Sequence, residues 1–213
     1  MYYIKAARLI MIISKVMPET QRLVTSIEEN EGKSTVASNI ALALAQSGKR
    51  VSLIDFDLRR PAVYKIFDLQ SQKTGGLWKD VCRLDGAQSL NLILNGKPIK
   101  DTIGFLKMER VGNLIAEERQ CADYIIIDTP PVNVAADTEL LLSYTDAALL
   151  VVRQDRSHIS EINNFSDLLS KSNVEYLGYV LNDFKNQNPM NRKQYDYGYG
   201  KHYDKYRYGE YSR

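Results

Sequence analysis

The stretch that decides the fold is RLVTSIEENEGKST, at residues 22–35. It opens with the β-forming run 22–26 and reaches Gly32, Lys33 and Ser34 just before a helical pattern begins. A loop that holds nucleotide phosphates needs backbone N–H groups close together, a lysine for the β- and γ-phosphates and a hydroxyl for Mg²⁺. The helix that follows turns its positive end toward the phosphates. The stretch therefore predicts a nucleotide site.

The loop departs from the common pattern at two positions. The pattern opens with a glycine six residues before the lysine, where this chain has Ile27. Asn30 stands where many related loops have a second glycine. Asparagine tolerates the left-handed backbone conformation better than most residues, so the loop can still be formed.

The surrounding pattern alternates strands with helices. The helix over 33–46 has Val36, Ile40 and Leu44 on one face, and Gly48 ends it. Apolar runs predict strands at 22–26, 51–55, 124–128, 147–152 and 176–182. Helical patterns fall at 61–66, 106–119, 138–143 and 159–170, and 75–95 is expected to be irregular or weakly helical. Alternation of this kind predicts an α/β fold: a mainly parallel sheet with helices on both faces, as in P-loop NTPases.

Two strand ends carry carboxylates. The segment LIDFDLRRP, at 53–61, has Asp55 and Asp57 two positions apart, so both point toward the sheet edge where ligands bind in open α/β folds. One could polarise an attacking hydroxyl while the other holds Mg²⁺. The alternative interpretation is a turn that caps the next helix. Asp128, which ends the run 125–128, matches the acid that holds a water on Mg²⁺ in P-loop proteins.

The C-terminal segment is rich in tyrosine. Seven of the fourteen tyrosines fall in the last nineteen residues, and no aliphatic residue lies between Gln194 and Arg213. Rings without aliphatic neighbours cannot build a core, so a disordered tail with accessible hydroxyls is expected. The candidate phosphoacceptors are Tyr195, Tyr197, Tyr199, Tyr203, Tyr206, Tyr208 and Tyr211.

Composition narrows the function classes. The chain has 213 residues and a formal charge of +2, which argues against nucleic acid as the main partner. Two cysteines and two histidines without ligand spacing argue against a zinc site and for reduced thiols. The apolar run 9–13 is far shorter than the ~20 residues that cross a bilayer, so attachment to a membrane is expected through a partner. The expected division is an N-terminal segment 1–21, a nucleotide-binding domain 22–184 and a tail 185–213.

Taken together, EGKST at 31–35, DFDLRRP at 55–61, DTPP at 128–131 and the tyrosine-rich end resemble the bacterial tyrosine kinases (BY-kinases) of capsular and exopolysaccharide systems. The resemblance spans roughly residues 22 to 213, and the second motif and the tail are its most specific parts. It implies a cytoplasmic, ATP- and Mg²⁺-dependent protein-tyrosine autokinase. Such a kinase would phosphorylate its tail and regulate polymerisation and export of a surface polysaccharide.

The resemblance also implies roles for single residues. Lys33 and Thr35 would bind phosphates, and Ser34, Asp57 and Asp128 would arrange Mg²⁺. Asp55 is a candidate for activating the tyrosine hydroxyl, and the division of labour between Asp55 and Asp57 stays open. Asn182 matches a position that reads the adenine edge in related ATPases; a strand-end turn is the alternative. The expected nucleotide-binding set is Asn30, Glu31, Gly32, Lys33, Ser34, Thr35 and Asn182, and the expected catalytic set is Lys33, Asp55 and Asp57.

Partners follow from the same resemblance. They are a transmembrane adaptor of the polysaccharide chain-length-regulator type, which would hold the kinase at the inner face of the membrane, a cognate tyrosine phosphatase, and further copies in a homo-oligomer. Two features differ from the family pattern: 1–21 lacks the Glu- and Arg-bearing helix used in ring assembly, and the stretch 95–106 is short.

Two other functions are alternatives. One is a partitioning- or cell-division-type ATPase that dimerises on a surface, although these proteins usually carry a lysine early in the phosphate loop and residues 27–30 contain none. The other is an inactive scaffold whose tail binds partners through its aromatic rings.

Overall fold

The structure is a computed structural model that describes residues 20–70, 77–82, 90–133 and 136–183. The N-terminal run 9–13 and the seven tail tyrosines lie outside the described residues, so the predictions made for them stay predictions.

One seven-stranded sheet forms the centre of the described structure, in the order β3-β4-β2-β5-β1-β6-β7. Every neighbouring pair is parallel except the antiparallel pair β3–β4. The strands are β1 (Thr20–Ser26), β2 (Val51–Asp55), β3 (Leu77–Cys82), β4 (Leu90–Asn95), β5 (Tyr124–Asp128), β6 (Ala147–Arg153) and β7 (Glu175–Asn182).

Six helices connect these strands. They are α1 (Lys33–Gln46), α2 (Val63–Ile66), α3 (Thr102–Leu106), α4 (Glu109–Cys121), α5 (Asp137–Leu142) and α6 (Ile159–Ser170). None of the helices in the described part of the chain is long and apolar enough to span a bilayer.

The two faces of the sheet bury separate cores because side chains alternate along each strand. On one face Val24 and Ile126 pack with Ile40 and Leu44 of α1. On the other, residues such as Leu23 and Ile127 pack with side chains of α4, α5 and α6, among them Ile115, Leu141 and Phe165. The predicted α/β fold with helices on both faces is confirmed.

Two predicted segments are wrong in detail. The irregular or weakly helical segment expected over 75–95 contains β3 and β4, because Leu90–Asn95 pairs with β2 and buries most of its side chains. The helix expected over 106–119 is present as α4, but it begins at Glu109, because the separate short helix α3 ends at Leu106. Pairing with distant strands decides the first segment, and a local sequence pattern does not record that pairing.

The topology gathers the strand ends that carry the candidate site. β1, β2, β5, β6 and β7 are parallel, so their carboxyl ends share one edge of the sheet. Asp55 and Asp128 are register partners there, and β1 leads into the loop before Lys33. This is the edge at which open α/β sheets bind ligands.

Candidate active site

The phosphate loop, residues 27–32 between β1 and α1, has two positions in the left-handed backbone region. Asn30 has a φ of 62° and Gly32 a φ of 89°. Gly32 also needs to lack a side chain, because a Cβ there would lie 2.1 Å from Nδ2 of Asn182. The close approach reflects a hydrogen bond that Asn182 Nδ2 donates to the Glu31 carbonyl at 2.7 Å. Asn182 therefore closes one side of the loop.

Three successive carbonyls of this loop accept hydrogen bonds from side chains at the ends of β6 and β7 or just after β6. Arg156 Nη1 donates to the Glu29 carbonyl at 3.3 Å, and Arg153 Nη1 donates to the Asn30 carbonyl at 3.2 Å. Asn182 completes the series at Glu31. Carbonyls held in this way fix the orientation of the peptide units whose N–H groups would cradle an anion.

The Glu31 side chain is buried and also shapes the loop. One carboxylate oxygen accepts the Glu28 backbone N–H at 2.8 Å, and the other accepts the Ser157 hydroxyl. Ser157 in turn accepts the Arg153 backbone N–H at 3.1 Å. The sequence predicts Glu31 as a nucleotide-binding residue. In the structure its side chain stabilises the loop through these hydrogen bonds and does not line the cleft.

Lys33 lies among the predicted acids. Its Nζ is 2.6 Å from Asp57 Oδ2, 4.0 Å from Asp128 Oδ1 and 3.4 Å from the Ser34 hydroxyl. Burial lowers the pKa of Lys33, but the charges of Asp128 and Asp57 outweigh burial and raise it, so the ammonium stays charged. The lysine, the hydroxyl and two carboxylates therefore meet at one point, as the sequence predicts.

Asp55 is fully buried, and each of its oxygens accepts backbone N–H groups. Oδ1 accepts the Asp57 N–H at 3.2 Å, and Oδ2 accepts those of Ala62 and Val63 at 3.2 and 3.1 Å. Burial first, and then the charge of Asp128, raise the pKa of Asp55 well above its usual value. Asp55 thus holds the turn 57–63 in shape, and this turn carries Asp57 to the cleft.

Asp128 is the acid whose environment best fits a cation. It is fully buried, and no described donor is in full hydrogen-bonding geometry with its oxygens, although the Ser34 hydroxyl and Lys33 Nζ, 4.0 Å from Oδ1, are close. Burial raises its pKa to about 6, although Lys33 and the neighbouring Ser34 hydroxyl favour the charged form. A buried carboxylate without donors is stabilised by a bound cation or its waters. Asp128 and the Ser34 hydroxyl are therefore suitable ligands for Mg²⁺ or its water shell.

No group of three or more His, Cys, Asp or Glu side chains in the described ranges is arranged to enclose a metal ion. That is compatible with Mg²⁺, which usually takes one or two carboxylates and completes its shell with phosphates and water.

A cleft of about 500 Å³ opens beside the phosphate loop. Its lining includes Lys33, Ser34, Thr35 and Asp57 on the inner side. The remaining lining residues come from the loop, the turn after β2, helix α2 and the start of the segment after β5: Glu29, Asn30, Gly32, Arg59, Arg60, Ala62, Lys65, Ile66, Pro130 and Pro131. The cleft thus borders Asp57 but neither Asp55 nor Asn182.

Sequence reasoning missed a polar network behind this cleft. Arg59 Nε donates to Asp137 Oδ2 at 3.0 Å, and Arg59 Nη2 donates to the Thr102 hydroxyl at 3.1 Å. The Thr102 hydroxyl donates to Asp137 Oδ1 at 2.9 Å. Asp137 and Thr102 are buried, so they fix the turn that follows Asp57 against the first residues of α5 and α3. Asp137 belongs to none of the motifs recognised in the sequence, so the sequence held no signal for it.

Comparison with known proteins identifies the family of the chain. A family model, ParA, described as NUBPL iron-transfer P-loop NTPase, matches residues 21–206. The chain belongs to the ParA family of P-loop NTPases. Within that family, this ParA-type chain is 32% identical over 166 residues to the tyrosine-protein kinase ptk of Acinetobacter johnsonii, a match that covers 72% of this chain and 22% of ptk. The chain spans about a quarter of the length of the first curated relatives it matches.

Two solved structures illustrate what the fold of the ParA-type chain is similar to. The chimeric protein CapA2B2 is 25% identical with a TM-score of 0.73, over 84% of this chain and 82% of that one. The septum site-determining protein MinD of Pyrococcus horikoshii, complexed with Mg-ADP, is 17% identical with a TM-score of 0.58, over 76% of this chain and 70% of that one. MinD shares the fold alone. The relatives named as tyrosine-protein kinases confirm the resemblance seen in the sequence.

Proposed function

We propose that the chain is an ATP- and Mg²⁺-dependent protein-tyrosine kinase that transfers phosphate to its own C-terminal tyrosine cluster. The observation that carries the proposal is the meeting of Lys33, Ser34 and Asp57 along one cleft, with Asp128 buried behind them. A phosphate loop alone fits many ATPases. Asp57, which borders the cleft in addition to the buried Asp128, and a tail of acceptor hydroxyls fit a kinase.

In the proposed reaction the tyrosine oxygen forms a bond to the γ-phosphorus of ATP, the bond from that phosphorus to ADP breaks, and the hydroxyl proton leaves to a carboxylate. Lys33 would contact the β- and γ-phosphates, and the loop N–H groups would orient them. Asp57 is the carboxylate that borders the cleft, so it is better placed than Asp55 to contact the acceptor. Ser34 and Asp128, together with Asp57, would hold Mg²⁺, which would supply positive charge to balance the phosphates.

The setting of the reaction comes from the resemblance. We place the kinase in the cytoplasm at the inner face of the membrane, activated by a transmembrane chain-length-regulator adaptor and reversed by a cognate tyrosine phosphatase. Tail phosphorylation would add roughly −1.5 to −2 charges per tyrosine and so weaken association between copies with acidic sites. Control of polysaccharide polymerisation and export would follow from that assembly change.

The rival is a surface-dimerising ATPase of the partitioning or cell-division type. MinD has the same fold, so the fold alone does not exclude this rival. The loop argues against it, since Ile27, Glu28, Glu29 and Asn30 supply no lysine to reach a partner's nucleotide.

Intact mass after incubation with ATP, Mg²⁺ and the cytosolic segment of the adaptor tests the proposal, with phosphate release measured in the same sample. A ladder of added phosphates on the wild-type chain, absent from Lys33→Met, is expected. Phosphate release without the ladder would support the ATPase instead. Neither activity would support the scaffold.

A further inference from the structure

Arg153 connects the phosphate loop to the residue that precedes the tyrosine-bearing segment. Its Nε and Nη2 donate to Asp183 Oδ2 at 3.0 and 2.6 Å, and its Nη1 donates to the Asn30 carbonyl at 3.2 Å. We call these three residues the Arg153 bridge. One planar guanidinium thus donates hydrogen bonds to the loop on one side and to the C-terminal end of the described chain on the other.

The two residues that accept from Arg153 share an unusual backbone. Asn30 has a φ of 62° and Asp183 a φ of 50°, and neither is glycine. Left-handed residues of this kind cost free energy and persist where surrounding contacts hold them. Arg153 donates hydrogen bonds to both residues. A change in the path of the chain at Asp183 therefore moves Arg153 and alters its hydrogen bond to the Asn30 carbonyl.

From this geometry we infer that the Arg153 bridge couples nucleotide binding to the position of the tyrosine tail. A nucleotide requires the loop conformation that the bridge supports, and that conformation in turn holds Asp183, two residues before the expected tail. Coupling of this kind is reciprocal: the factor by which restraint at Asp183 strengthens nucleotide binding equals the factor by which nucleotide binding favours that restraint. Arg153 is therefore a positioning residue, and its role rests on the proposed nucleotide site.

The test measures both sides of the coupling on the full-length chain. One readout is the Kd of a fluorescent ADP analogue with Mg²⁺. The other is the rate of trypsin cleavage after Lys185, two residues beyond Asp183, with and without saturating Mg-ADP, followed by intact mass. Cleavage needs local opening of the segment around Asp183, so its rate reports how firmly the start of the tail is held.

Arg153→Gln should weaken ADP binding about tenfold, the size expected for losing a charged hydrogen bond. Asp183→Asn should weaken it about threefold, since it removes the charge but leaves Arg153 able to reach Asn30. In both variants, the protection of Lys185 by Mg-ADP should fall by a similar factor. Thermal unfolding midpoints check that both variants are folded.

The matched control is Arg119→Gln. Arg119 forms an ion pair of comparable exposure with Asp146, near the start of β1 at the opposite edge of the sheet. It should change neither readout. Wild-type Kd in Arg153→Gln, or undiminished Lys185 protection in both bridge variants, overturns the coupling while leaving the nucleotide site in place. Failure of the wild-type chain to bind the analogue overturns both.

Discussion

The ammonium of Lys33 lies 2.6 Å from a carboxylate oxygen of Asp57. Both side chains are mostly buried, and Lys33 is the group expected to contact phosphates. Phosphate oxygens must therefore compete with Asp57 for the same ammonium. Asp57 opposes binding of a bare nucleotide and yet borders the cleft where the acceptor would arrive.

Asp57→Asn should separate nucleotide binding from transfer. Without the carboxylate, Lys33 is freer for phosphate, so affinity for ADP in the presence of a chelator should rise about fivefold. Tail phosphorylation should fall by about 100-fold or more, because the carboxylate near the acceptor is lost. Asp57→Glu keeps the charge and is the control for the binding effect. Weaker ADP binding by Asp57→Asn without Mg²⁺ would contradict this account.

The parts of the fold predicted correctly are those that local sequence determines. The helix predicted over 33–46 matches α1 because its apolar face and Gly48 are both local signals. The strands predicted at 51–55 and 124–128 match because five consecutive residues of each are buried. A central parallel strand is covered on both faces, and that requirement shows directly in its composition.

The parts that were missed depend on residues distant in the sequence. Nothing in the sequence distinguishes Arg153 and Arg156 from the other arginines. Only the topology brings them to carbonyls more than 100 positions away. Asp55 could be recognised as a site residue, but its backbone hydrogen bonds to the turn after it could not. The sequence therefore identifies the groups for chemistry better than the groups that hold them in place.

Gly32→Ala tests how closely Asn182 approaches the loop. Gly32 and Gly48 have φ values of 89° and 86°, so alanine at either position should cost about 1–2 kcal/mol of unfolding free energy from the backbone alone. A Cβ at Gly48 meets nothing within 4 Å, whereas one at Gly32 meets Asn182. Urea unfolding should show a larger loss for Gly32→Ala, and adding Asn182→Ala should recover part of the excess. Equal losses for the two single variants would contradict the close approach.

Asp128→Asn should stabilise the metal-free chain at high pH. The pKa of Asp128 is about 6 in the folded chain, whereas the ordinary value of an aspartate, taken here for the unfolded chain, is 3.8. The folded state therefore binds the proton more tightly. The stability contributed by that proton is present below pH 3.8 and is lost as the pH rises through about 6. In chelator, the variant should exceed wild type by about 2–3 kcal/mol at about pH 8 and by little at about pH 4. Urea unfolding at both pH values measures this; an equal difference at both would contradict it.

The end of β7, three residues before the expected tail, lies beside the phosphate loop, since Asn182 donates to the Glu31 carbonyl. The first tail tyrosine, Tyr195, is about ten residues beyond Phe184, and a flexible coil of that length has an r.m.s. reach of about 18 Å. Tyr195 could therefore come near its own site, but a short segment that doubles back restricts in-line approach to the γ-phosphate. Tyr206, Tyr208 and Tyr211 have more freedom to reach another copy.

Phosphorylation should consequently occur mainly between molecules. A Lys33→Met chain that keeps its tail is mixed with an active chain whose seven tail tyrosines are phenylalanine, so that transfer can be seen only between copies. Intact mass should show phosphate on the Lys33→Met chain, and self-labelling of the unaltered chain should slow per molecule on dilution. If the Lys33→Met chain stays unlabelled while self-labelling per molecule is independent of dilution, transfer is intramolecular. The ten-residue connection would then be long enough to bring a tyrosine in line with the phosphate on its own chain.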